Sequence, residues 1–88
     1  MSADFITELK SFVAELKDQQ SHLDLAEEEG AEFNSEVATI EAQMVSPKPK
    51  RAILKECLGS LKRILEGAAG GAAGATLAAK VPLLLAML

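Results

Sequence analysis

A chain of 88 residues with one cysteine, one histidine, three Phe and no Trp or Tyr is one small domain at most, and a lone hairpin of that length is expected to need a partner surface to enclose a core. The missing aromatics disfavour the platforms that read bases, sugars or quaternary amines. One histidine and one cysteine leave no second ligand for a zinc site and no convincing Cys/His dyad.

The net charge of −4 conceals an asymmetry. Residues 1–46 carry eleven acids against two lysines, while residues 47–88 carry seven basic residues against two acids. The two halves attract, and an arm of opposite charge in the same chain is a nearer partner than nucleic acid or anionic lipid. The first 17 residues mix acids, lysines and apolar residues without the continuous apolar run of an export signal. With the lone cysteine, that predicts a cytoplasmic setting.

Residues 1–46 read as an acidic heptad helix. Phe5, Leu9, Phe12, Leu16, Gln19, Leu23, Ala26, Gly30, Phe33, Val37, Ile40 and Met44 recur in alternating steps of four and three, and nine of the twelve are large and apolar. A mean period of about 3.5 keeps one seam facing a partner along a helix. Ser2 or Asp4 is placed to cap the first turn. A continuous helix from Ala3 to Val45 would be a rod about 60 Å long.

Residues 47–50 are the break, since Pro47 and Pro49 lack the amide proton that a helix interior needs and disfavour helical geometry in the residue before them. Residues 51–80 read as a second helix, basic at first and then rich in Gly and Ala. Its seam is Leu54, Leu58, Leu61, Leu65, Ala68, Ala72, Ala75 and Ala79, beside a second stripe of Ile53, Cys57, Ser60, Ile64, Gly67, Gly71, Gly74 and Ala78.

Folding the arms together at Pro49 sets Met44 against Leu54, Ile40 against Leu58, Val37 against Leu61 and Phe33 against Leu65. The same register sets Gly30 against Ala68 and Ala26 against Ala72. It also pairs Lys62 with Glu36, Lys80 with Asp18 and Lys55 with Glu41. Gly67, Gly70, Gly71 and Gly74 include two G-x-x-x-G spacings, a pattern that lets helix backbones touch.

Residues 81–88 form an apolar tail that calls for cover, and an oligomer interface supplies it. The fold expected is therefore all-α: a two-helix antiparallel hairpin of coiled-coil type that oligomerises into a bundle or larger assembly. The expected interface is Phe5, Leu9, Phe12, Leu16, Leu23, Gly30, Phe33, Val37, Ile40, Met44, Leu54, Leu58, Leu61, Leu65, Gly67, Gly71 and Gly74.

His22 lies off the seam and reads as a solvated helix residue, and Cys57 as a small buried hydrophobe. The run Glu27-Glu28-Glu29 with Glu32 lacks the spacing of a calcium loop. The residues Lys48, Lys50, Arg51, Lys55, Lys62 and Arg63 lack stacking partners for single-stranded nucleic acid. No catalytic residue, metal site or cofactor is expected.

The stretch from Leu58 to Gly70, with its L-x-x-I-L-E-G-A-A-G core, resembles a C-terminal segment of small uncharacterised bacterial proteins. It covers about a seventh of the chain. The resemblance implies a natural bacterial origin and no particular activity.

The reading that follows is a non-enzymatic, self-associating scaffold or protein-interaction module, with itself or a larger protein as partner. Its rival is a small membrane-active protein whose Gly/Ala-rich arm inserts and oligomerises. Residues 67–88 are long enough to span. Against insertion, twelve of these 22 residues are Gly or Ala, and Lys80 within the run costs about 2.5–3.5 kcal/mol on insertion scales.

Overall fold

A computed structural model describes residues 1–69 and 71–88. The fold is all-helical among the described residues, and it bends more often than a two-helix hairpin. In chain order it comprises α1 (Ala3–Gln19), a short 3-10 turn (Gln20–His22), α2 (Glu27–Met44), α3 (Arg51–Glu66), α4 (Ala72–Ala78) and α5 (Val81–Ala86).

Ser2 opens α1 from an extended conformation, its hydroxyl oxygen accepting the Phe5 amide at 3.1 Å. That bond satisfies one of the first-turn amides that a helix leaves without an internal partner. The helix then buries Phe5, Leu9, Phe12, Val13 and Leu16 along one face.

The expected rod stops at Gln19. Asp24 adopts a positive φ of 52°, a conformation that Asp tolerates better than most residues. After it, Ala26 is extended and starts α2, whose first turn is Glu27, Glu28 and Glu29. Three carboxylates there complement the positive end of the helix dipole. The longest dimension of the molecule is 35 Å, well short of the rod that an unbroken first helix would make.

α2 and α3 pack along each other across residues 45–50. The connection is held by the Lys50 amide donating to Gln43 Oε1 at 2.7 Å and the Lys48 amide donating to Ser46 Oγ at 3.2 Å. α3 is the central helix, in contact with α2, α4 and α5, while α1 packs against α2, α4 and α5.

The second expected helix also breaks. α3 ends at Glu66, and α4 starts at Ala72, preceded by Gly71 with a φ of +29°. Glycine costs about 1 kcal/mol relative to alanine within a helix and has no side chain to bury. The turn lets Leu77 and Ala78 of α4, then Val81 and Leu84 of α5, reach the core.

That core is a single cluster of twenty buried apolar residues, and no polar or charged side chain is buried among the described residues. One chain thus encloses a core without a partner, because α1, α4 and α5 cover the faces that a simple hairpin would leave open. No described helix is long and apolar enough to cross a membrane.

Candidate functional site

The large seam residues are drawn into this intrachain core. Phe5, Leu9, Phe12, Leu16, Leu23, Phe33, Val37, Ile40, Leu54, Leu58, Leu61 and Leu65 are all buried, and Met44 packs against them from the edge. The glycines divide differently.

Gly74 is buried, and a Cβ placed there would overlap the Leu65 carbonyl oxygen. It marks a close approach of α4 to the end of α3. Gly30 and Gly71 would meet nothing within 4 Å, and an added Cβ at Gly67 would meet first the Arg63 carbonyl of its own helix, at 3.5 Å. Of the small rungs, Ala26 is therefore at the bend of the first arm and Gly30 stands open in the first turn of α2, so the two do not form a line of close helix contact. Gly70, shared by one of the G-x-x-x-G spacings, lies outside the described residues.

The ion pairs differ from the expected set. Lys62 pairs with Glu66 within α3 at 3.7 Å, Lys80 with Glu15, and Lys17 with Glu41. Bending the first arm carries Glu15 to Lys80 and Lys17 to Glu41, which a straight arm would hold apart. All three are surface pairs worth about 0–1 kcal/mol each.

Most of the apolar tail folds onto its own chain. Val81 and Leu84 are buried, and Leu85 and Leu88 pack at the edge of the core. Leu83 stays 68% exposed and Met87 38% exposed. Both line a groove of about 530 Å³ between α1 and α5.

The geometry of the groove follows from helix periodicity. Asp4, Glu8, Phe12 and Glu15 lie on one side of α1, spaced by three or four residues, with Thr7 and Ser11 alongside. Phe12 and Leu84 are buried beneath it, and Leu83 and Met87 rise on the α5 side. Lys80 closes one end by pairing with Glu15. Three carboxylates face a single ammonium, so the rim is acidic above an apolar floor. The heptad count singled out Phe12, but this groove escaped it. Its sequence signal was the acidic stripe beside the seam together with the surplus leucines of the tail.

A second, shallower groove between α3 and the last two helices is lined by Lys62, Glu66, Gly71, Ala75, Ala78, Ala79 and Pro82. Its small side chains offer little for recognition.

The reactive groups lie elsewhere. His22 is exposed at the end of the 3-10 turn. Cys57 is buried between the helices; burial pushes its thiol up to about 12, and a hydrogen bond to the Glu36 carboxylate and the negative charges of Glu36 and Glu56 push the same way. A thiol so held stays protonated and is a poor nucleophile. No cluster of three or more His, Cys, Asp or Glu side chains suited to a metal ion occurs among the described residues.

The basic residues of the second arm cluster around the connection at 45–50. Lys48, Lys50, Arg51 and Lys55 are exposed there, beside Val45, which is 85% exposed. Comparison with protein-family models, with curated proteins and with solved structures finds no match.

Proposed function

We propose that this protein is a non-enzymatic helical interaction module that receives an apolar, positively charged segment of a polypeptide in the groove between α1 and α5. The observation that carries this reading is the pairing of exposed Leu83 and Met87 with the Asp4 and Glu8 carboxylates on a domain whose core is already closed. Large apolar side chains left outside a closed core, rimmed by charge, have the anatomy of a binding site. The acidic rim favours cationic partners and speeds their encounter.

Self-association belongs to the same reading, with the chain as its own partner. Membrane insertion has no comparable support: α4 and α5 are seven and six residues long, against the roughly 20 that a spanning helix requires.

An NMR titration with an amphipathic Leu/Lys peptide tests the groove. Shift changes are expected at Thr7, Ser11, Leu83 and Met87, weakening as salt is raised and disappearing in Leu83→Glu. Shifts scattered over the surface, or none, would contradict the reading.

A further inference from the structure

The geometry points to a second copy of this chain as the occupant: the basic connection between α2 and α3, Val45 to Arg51, docks into the α1/α5 groove of the next molecule. This inference rests on the groove reading above and names its partner.

Two surfaces of the molecule complement each other in both hydropathy and charge. Met1, Val45, Leu83 and Met87 are its exposed large apolar residues. Leu83 and Met87 sit in an acidic setting with Asp4 and Glu8. Val45 sits in a basic one, for residues 45–55 contain Lys48, Lys50, Arg51 and Lys55 and no acid. Neither Asp4 nor Glu8, nor any of those four cations, takes part in an ion pair among the described residues. Both sets of charges are available for a contact between molecules.

The connection is also prepared for binding. Pro47 and Pro49 fix two φ angles, and the Gln43 and Ser46 side chains hold the Lys50 and Lys48 amides. A segment ordered in advance loses less entropy on docking. Val45 then supplies the apolar knob for the floor between Phe12 and Leu83.

Docking two grooves face to face is disfavoured, because Asp4, Glu8 and Glu15 would confront their own copies. Groove to connection is instead a heterologous contact, the same two unlike surfaces used at every step, and it produces open chains or closed rings.

Sedimentation velocity on the full chain and two surface variants tests this directly. Leu83→Glu disables the groove and leaves the connection intact; Val45→Asp does the reverse. Both positions are largely exposed, so helix content by circular dichroism should match the parent, and Met87→Glu serves as a second groove variant. The parent is expected to form species larger than a dimer as concentration rises, and each variant alone to remain a monomer.

An equimolar mixture of Leu83→Glu and Val45→Asp should give a heterodimer that grows no further, since only one competent groove and one competent connection remain to meet. A parent that stays monomeric overturns the inference, and the peptide titration then shows separately whether the groove itself binds. Variants that assemble like the parent, or a mixture that stays monomeric or grows beyond a dimer, overturn it as well.

Discussion

From Phe33 onward in α2 and along α3, burial is carried by large side chains, Phe33, Val37 and Ile40 against Leu54, Leu58, Leu61 and Leu65. Along α4 and α5 it is carried by Gly74, Leu77, Ala78, Val81 and Leu84 in two helices of seven and six residues. The first region is two helices of 18 and 16 residues; the second turns at Gly71 and again near Lys80. A helix in a folded domain is stabilised mainly by the side chains it buries, at about 25 cal/mol for each Å² of apolar surface removed from water. Where these shrink to Ala and Gly, local conformational cost decides, and the chain bends to bring its next large residue to the core.

The largest effect is expected in the hairpin. Phe33→Ala removes a fully buried ring and should cost about 3–5 kcal/mol in urea unfolding, a large fraction of the stability of a small domain. A loss below about 1 kcal/mol would mean that the hairpin is not the stabilising region.

In the bent region the corresponding test is Gly74→Ala. The new methyl would collide with the backbone at Leu65, which cannot swing aside as a side chain can. A loss of about 1–3 kcal/mol is expected, typical of overpacking, and an unchanged urea midpoint would show that α4 does not approach α3 there.

Gly30→Ala sharpens the contrast from the other side. The added Cβ meets nothing within 4 Å and lies inside α2, so the substitution should raise stability by about 0.5–1 kcal/mol. Destabilisation would instead restore Gly30 as a close-packing position. The smallest effect is expected for Lys80→Gln, which removes the half-exposed pair with Glu15; its thermal midpoint should move by no more than about 1 kcal/mol warrants.

The buried faces of α1, α2 and α3 were legible because each carries large apolar residues at helical spacing. The bends were written in the same pattern and were harder to read. Gln19, Ala26 and Gly30 are the three seam positions of the first arm without a large apolar residue, and they bracket or adjoin the break between α1 and α2. In the second arm the seam turns to alanine at Ala68, beside the break between α3 and α4.

Matching small rungs to small rungs suggested close helix contact. Counting alone cannot separate that from the end of the contact, because both call for small residues. Only the space around each glycine does so, crowded at Gly74 and open at Gly30.

The groove was less legible still. It depends on α5 returning to α1, a long-range arrangement that neither period nor propensity encodes. Its ingredients, the acidic stripe and the apolar tail, were visible as separate features, and the break at Gly71 is what lets them meet.

Closure of the core within a single chain comes before any use of the proposed groove. It is tested most directly by the urea unfolding midpoint of Leu83→Glu across about a hundredfold range of protein concentration, because a core shared between chains must grow more stable by mass action. An unchanged midpoint is the result predicted; a midpoint that climbs with concentration would contradict it, placing the core between chains.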